Sequence, residues 1–583
     1  MNLESFPNEL LCELFTYIPS IDCLRSFYHL NYRFQQLLIY HFQSFNVSFS
    51  FVSHDDFRSI CQQSLPIIAP HLISLTLSNN HDTLQQINSF LEHGLKLRQF
   101  HQLQRLSLCD LCSNEIMHTM ILEWKYLPNL THLTLAGCYL NFDHMSSQHL
   151  MSTIWSLPKL IYCYLNLYFE NNDIVPTVIS SSLTYLYIWG TQYHQQNVYT
   201  LLKQTPYLQD FSIILNPVFD HINNDRCPCL SLKSLQLHLD RLEENQLIEL
   251  FQDMANLRHL NIDVSELSIH SFEEILNGYQ WEHIIRQYLP NLKQFRFNIE
   301  MLLINLDNRE EHIDVLLDSF RHPFWLEEHQ WFIQCHWNLT DKSSPFYLYT
   351  LPYRSTQIKF SPSTIRKSTC QNDRICDNYN HVKILEYKTD SLQTTTLLPQ
   401  IRFPNISHLS IQFPIQDQFW SLIFIPYQIT SLTISGNVQD ITLSQLHELI
   451  HHLPCLNSLR LETKSLSISS ICSLDIVNTS IRRLDLRDYY HHFNHEQCSI
   501  LSHSLFNSQC EILSINLLNR HALLEMMKTI NNNLRVIIVQ FANDLQGTTS
   551  DDQFLSWLKN HLPSTYIITR DTYFLKDIHI ILR

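Results

Sequence analysis

Apolar residues recur along this chain in one short pattern. From Leu130 to Leu140 the sequence reads LTHLTLAGCYL, with apolar side chains at Leu130, Leu133, Leu135 and Leu140 and with Cys138 three residues after Leu135. The Leu133/Leu135 spacing is the period of a strand with one buried face. The same pattern recurs as LISLTL from Leu72, LQRLSL from Leu103, LIYCYL from Leu160, LTYLYI from Leu183, LQDFSI from Leu208, LKSLQL from Leu232, LRHLNI from Leu257 and LKQFRF from Leu292. It returns as VKILEY from Val382, ISHLSI from Ile406, ITSLTI from Ile429, LNSLRL from Leu456, IRRLDL from Ile481 and LRVIIV from Leu534, with a degraded copy over Cys510 to Ile515. Between copies the period changes to that of a helix: Leu247, Leu250, Phe251 and Met254 form one apolar stripe, and Leu446, Leu449, Ile450 and Leu453 another.

These units resemble leucine-rich repeats, L-x-x-L-x-L-x-x-N/C-x-L, and their spacing of about 23 to 31 residues is in the range of that family. The Asn/Cys position is filled at Asn80, Cys138 and Asn437. One unit cannot bury its apolar face alone, so the repeats must stack. The expected fold is α/β: a leucine-rich-repeat solenoid, a curved parallel sheet with helices outside. FNVSFSFV, from Phe45, reads as its capping strand, and TYIITR and IHIIL as its closing strands. The expected arms are residues 45–297 and 382–583. Residues 298–381 break the period: a helical stretch, two strand-like runs (WFIQCHW and FYLYTLPY) and then a polar segment that reads as an exposed loop. They are expected to be an insertion with a hairpin; a boundary between two solenoid domains is the rival reading.

Residues 1–44 read differently. A helix is predicted from about Pro7 to Tyr17, with an apolar stripe of Leu10, Leu11, Leu14 and Ile18. Asp22 is placed to cap a second helix and Asn31 a third, which carries Phe34, Leu37 and Leu38. About forty residues rarely fold without a staple or a partner. The stretch from Leu3 to Leu38, LESFPNELLCELFTYIPSIDCLRSFYHLNYRFQQLL, resembles an F-box, with Phe6 where Leu is usual, Phe34 where Trp is usual and Asn31 where Cys often sits. The resemblance implies a small all-α F-box ahead of the solenoid. It would dock onto the Skp-type adaptor of a cullin–RING ubiquitin ligase through Leu3, Phe6, Pro7, Leu10, Leu14, Ile18 and Leu24. The solenoid would then present a protein substrate, and the chain would be a non-catalytic receptor. Without the ligase role, the chain reads as a leucine-rich-repeat interaction scaffold.

Composition narrows the alternatives. The net charge of −16 disfavours nucleic-acid binding, which needs Lys and Arg to neutralise phosphates. Six scattered glycines supply no phosphate-cradling loop, so neither a nucleotide nor another cofactor is expected. The N-terminus has no basic region or apolar signal core, and no apolar run is long enough to span a membrane. The 16 cysteines then read as reduced thiols of a cytoplasmic or nuclear protein. His491, His492, His495 and Cys498 lie close together but lack the spacing of a closed zinc site; Cys227/Cys229 and Cys370/Cys376 lack partners, so no metal is expected.

Alternation also names the residues on the strand face opposite the leucines. Tyr162, Tyr164, Tyr185, Tyr187 and Trp189 fall there on two successive repeats, as an aromatic patch for a protein substrate; cover by the inserted hairpin is the competing reading. Near the C-terminus Arg460, Glu462, Arg483, Asp485 and Arg487 fall on the same face, either for a polar partner or as a self-paired ladder.

Overall fold

The computed structural model describes residues 3–18, 20–42, 47–49, 52, 54–79, 86–168, 174–215, 228–241, 243–269, 275–303, 309–339, 341, 344–371, 378–388, 401–413, 415, 417–423, 425–436, 443–463, 480–487, 492–502, 510–528, 533–542, 551–570 and 577–582. Asn80, Asn437, Cys227, Cys376 and His491 lie outside the described residues. Two compact units divide the chain: Met1–Leu267 with Ser271–Ile299, and Ser268–His270 with Glu300–Arg583.

The first unit opens on three helices, Asn8–Thr16, Ser20–Phe27 and Tyr32–Phe42. Their core is Leu11, Phe15, Cys23, Leu24, Phe34 and Leu38, with the Phe15 and Phe27 rings 5.2 Å apart. The stripe expected on the first helix therefore divides: Leu11 and Phe15 point inward, and Leu10 and Leu14 point out. Asn31 caps the third helix, accepting from the Phe34 amide at 3.1 Å. Asp22 lies inside the first turn of the second helix, which begins at Ser20, so it is not its cap. The Arg33 guanidinium donates to the carbonyls of Glu4 and Phe6 and, at 2.9 Å, to Asn8 Oδ1, tying the N-terminal turn to the third helix.

The strands follow in chain order: β1 (Val47–Ser48), β2 (Ser74–Ser78), β3 (Arg105–Cys109), β4 (His132–Tyr139), β5 (Tyr162–Tyr168), β6 (Tyr185–Tyr193), β7 (Asp210–Leu215), β8 (Ser234–Leu239), β9 (His259–Ile269) and β10 (Gln294–Leu303). From β1 to β9 each pairs in parallel with the next. The register superimposes the repeats: Leu75, Leu106, Leu133, Cys163, Leu186, Phe211, Leu235 and Leu260 form one row, all buried. Of the expected capping strand the described residues are β1, the buried Phe49 and the buried Val52.

Register shifts within β4 and β6 explain the ninth position of the repeat. The Cys138 thiol is buried and donates to the carbonyls of Leu108 and Ala136, both at 3.7 Å. At the equivalent place within β6, Thr191 donates its hydroxyl to the Leu167 carbonyl at 2.8 Å. A glycine precedes each. Gly190 has φ +84°, and a Cβ there would lie 2.6 Å from the Leu167 carbonyl oxygen, so a side chain fits neither the backbone nor the space. Asparagines stitch neighbouring repeats: Asn129, Asn256 and Asn291 donate to the carbonyls of His101, Leu230 and Ala255.

In the second unit, β11 (Ile333–Asn338) and β12 (Phe346–Thr350) form an antiparallel hairpin. β14 (Thr364–Ser368) pairs antiparallel with the other edge of β11. Thr364–Ser368, the start of the polar segment expected to be a loop, is therefore a strand, ordered by the open edge of β11 rather than by side-chain pattern. β13 (Gln357–Phe360), β15 (Ile384–Tyr387), β16 (His408–Gln412), β17 (Ser431–Gly436), β18 (Ser458–Thr463), β19 (Arg483–Asp485), β20 (Ile512–Leu517) and β21 (Val536–Phe541) pair in parallel, in that order. β22 (Ile567–Arg570) and β23 (Ile578–Ile581) close this sheet antiparallel. Among helices with described side chains, the stripe Leu247, Leu250 and Phe251 is buried as its spacing demands. Parallel strands with buried leucine rows, each followed by a return segment, make this a leucine-rich-repeat fold.

Candidate interaction surfaces

The strand face opposite the leucine row brings four tyrosines together in the first unit. Tyr162 lies beside Tyr185, and Tyr164 beside Tyr187, across β5 and β6. The Tyr162 ring is 5.5 Å from that of Tyr187, and the Tyr164 ring 6.5 Å from the same ring. Tyr185 is 40% exposed and the other three are half-buried. The hairpin aromatics Trp331, Trp337, Tyr347, Tyr349 and Tyr353 are buried, and those of β12 pack into the apolar core of the second unit.

Residues that alternation alone did not single out extend this face. His132, one strand before, stacks on Tyr162 at 5.5 Å. Asp210, one strand after, pairs in register with Tyr185 and is hydrogen-bonded to the Tyr187 hydroxyl. Burial and the nearby Asp210 carboxylate both push the Tyr187 phenol up. Burial also raises Asp210, against hydrogen bonds from Ser234 and Tyr187. Trp189 turns from the tyrosines and lies 4.1 Å from the His238 ring on β8. There Asp263 accepts from Gln236 at 3.4 Å and Asn261 at 3.0 Å, and Asn298 also bonds to it. Burial pushes Asp263 up to about 6 and His238 down to about 4. At neutral pH the aspartate is charged and the imidazole is not, so their 3.8 Å approach is not an ion pair. His132, Asp210 and Gln236 occupy the third or fifth position of their repeats; applying the alternation to every repeat, not only the aromatic ones, would have found them.

The N-terminal helices present a second surface. Leu10 is 53% and Leu14 36% exposed, and Tyr17 continues their line at helical spacing. Pro7 is exposed, and Leu3, Phe6 and Ile18 are half-buried. Leu24 is 1% exposed and belongs to the core, which removes it from the expected docking residues.

The C-terminal charges pair with one another. Arg460 contacts Glu462 at 2.7 Å, both well exposed. Arg487 grips Asp485 with two nitrogens and reaches Asp577 at 2.7 Å, so it is not an open binding residue, as its position on the strand face suggested. Burial would raise the Asp485 carboxyl, but the Arg487 guanidinium overrides that and holds it below the usual range. Arg483 is half-buried on the neighbouring position.

Cys335 on β11 is buried. Burial pushes its thiol up to about 12, and its neighbour His336 points to the other face of β11. Among the described residues no group of three or more His, Cys, Asp or Glu side chains could hold a metal, and no helix is long and apolar enough to cross a membrane.

No protein-family model matches the chain, and no curated protein sequence matches it. Solved structures similar to this chain include the following two. An internalin from Listeria monocytogenes is 10% identical, with 84% of this chain and 94% of that one covered and a TM-score of 0.20. The structure of a TLR13–ssRNA13 complex is 14% identical, with 77% of this chain and 61% of that one covered and a TM-score of 0.23. Scores this low establish no common superposition; the repeat assignment stands on the strand register and burial.

Proposed function

We propose that this chain is the substrate-recognition subunit of a cullin–RING ubiquitin ligase. The N-terminal helices dock onto the Skp-type adaptor, and the tyrosine face of the first unit holds a protein substrate in the cytoplasm or nucleus. The chain does no covalent chemistry; it supplies proximity between substrate and the ligase core. The observation that carries this reading is the first helix, which is apolar on two sides. One side, Leu11 and Phe15, fills the core; the other, Leu10 and Leu14, faces solvent beside the F-box-like Phe6-Pro7. Water gains nothing from such a stripe, whereas a partner groove would bury each leucine with about 1.5–3 kcal/mol.

The test is affinity purification of the full chain and of Leu10→Ala/Leu14→Ala. Adaptor co-purification should fall at least a hundredfold, with the urea unfolding midpoint unchanged because neither leucine is in the core. Adaptor bound equally by the variant would leave an interaction scaffold without a ligase role.

A further inference from the structure

Between β11, β12, β14 and the ends of β13 and β15 lies a cleft of about 40 Å³, room for about three waters. Its lining includes His336, Asn338, Lys359, Ser361, Thr364 and Lys388. We propose that this cleft binds a tetrahedral oxyanion: inorganic phosphate or the phosphoryl end of a monoester.

His336 is buried, and its ring stacks on Tyr347 with centroids 4.5 Å apart. Its Nδ1 lies 3.2 Å from the Tyr349 hydroxyl, while its buried Nε2 has no partner. The surrounding bonds assign the tautomer. Gln334 donates to the hydroxyls of Tyr349 and Tyr379, at 2.8 and 3.1 Å, and these hydroxyls are 3.3 Å apart. A chain in which Tyr379 donates to Tyr349 and Tyr349 donates to Nδ1 satisfies all three groups. It leaves the hydrogen on the buried Nε2. This donor has no acceptor among the described residues.

The other lining groups are donors as well. Asn338 Nδ2 donates to Ser361 Oγ at 2.9 Å, and the Ser361 amide donates to Thr364 Oγ1 at 3.0 Å. The two hydroxyls are 3.1 Å apart, so one proton bridges them and the other is free to donate. The Lys388 ammonium, exposed at the mouth, has no ion-pair or hydrogen-bond partner among the described residues. Lys359 adds a second ammonium, 2.9 Å from Glu300. The nearby carboxylates are already engaged: Glu300 by Lys359 and Tyr347, Asp341 by the Ser344 hydroxyl at 2.6 Å, and Glu386, in register with Lys359, by the Gln357 amide. Arg366 lies beside His336 across β14 and adds further positive potential. Donors of this number in a cleft of this size fit an anion with several oxygens, the pairing in which charge-assisted hydrogen bonds are strongest.

The full chain, titrated with sodium phosphate and with glycerol phosphate against sodium chloride at matched ionic strength, tests this by calorimetry. Saturable phosphate binding, weakened about tenfold in Lys388→Gln and restored in Lys388→Arg, supports the site. Thr364→Val should weaken it too without disturbing Nε2. Binding of both compounds supports a monoester ligand, and binding of phosphate alone supports the free anion. A response no larger than that to chloride, or equal in the wild type and Lys388→Gln, overturns the proposal.

Discussion

The strand faces of β5–β6 and of β18–β20 obey one rule and meet different ends. In both, alternation turns one set of side chains into the apolar layer and the other away from it. Across β5 and β6 the outward set is aromatic and half-buried, with tyrosine rings that lie against one another. Across β18 to β20 it is polar and closes on itself: Asp485, Ser514 and Asn516 are buried, and Arg487 is held by two aspartates. Outward position in a repeat therefore does not make a residue a contact. What decides is whether the chain brings it a partner of its own.

Arg487 gives the largest expected break in this contrast. Asp485 and Asp577 are 6% and 0% exposed, and Arg487→Met leaves both buried without their cation. Loss of one partner from a buried ion pair costs about 3–5 kcal/mol. The urea midpoint of Arg487→Met should fall accordingly. The pH dependence has a definite sign. The Asp485 carboxyl is depressed in the fold, so its stabilisation is present above about pH 3.9, the unfolded value, and is lost as the pH falls through the folded one. The variant should lose that acid sensitivity. Equal midpoints in variant and wild type would mean that the cluster does not hold β19 to the C-terminal strand.

Asp263 sharpens the contrast from the aromatic side. Its folded value of about 6 lies above the unfolded 3.9, so ionisation destabilises the fold as the pH rises between these values. His238 acts oppositely: its folded value of about 4 lies below the unfolded 6.5, so stability rises with pH across that window. In the wild type the two slopes nearly cancel from about pH 4 to 6. Asp263→Asn removes one. The variant should be more stable than the wild type by about 2 kcal/mol at pH 7.5 and equal to it near pH 4. Its own stability should climb between pH 4 and 6.5. Denaturant unfolding at three pH values reads both effects; a flat profile in the variant would place neither group in the buried network.

The repeats were legible because alternation is one-dimensional: Leu133 and Leu135 carry their burial in their spacing. Three other features were not, each for a different reason. The inward side of the first helix could not be read where Leu10, Leu11, Leu14 and Phe15 are all apolar; only packing against Phe27 and Phe34 selects Leu11 and Phe15. Thr191 escaped the Asn/Cys template although its hydroxyl bonds the Leu167 carbonyl much as the Cys138 thiol bonds that of Leu108. Arg487 looked open because Asp577 is 90 residues away in sequence.

The smallest effect on stability and the sharpest on binding should come from Tyr162→Ala/Tyr187→Ala. Both rings are half-buried and lie against each other rather than in the leucine layer, so their removal leaves the repeat core intact. Surface changes of this kind move stability by about 0.5 kcal/mol. A bound substrate, by contrast, would bury each ring with about 1.5–3 kcal/mol. Every 1.4 kcal/mol is tenfold in affinity, so the pair should weaken capture of the same substrate at least a hundredfold. Tyr187→Phe separates the ring from its hydroxyl: it keeps the apolar area and removes only the bond to Asp210, and should cost at most tenfold. The readout is recovery of substrates that co-purify with the wild-type chain while adaptor recovery stays constant. If the double variant keeps its substrates, the tyrosine face is not the recognition surface, and the exposed Arg460 with the half-buried Arg483 become the next positions to change.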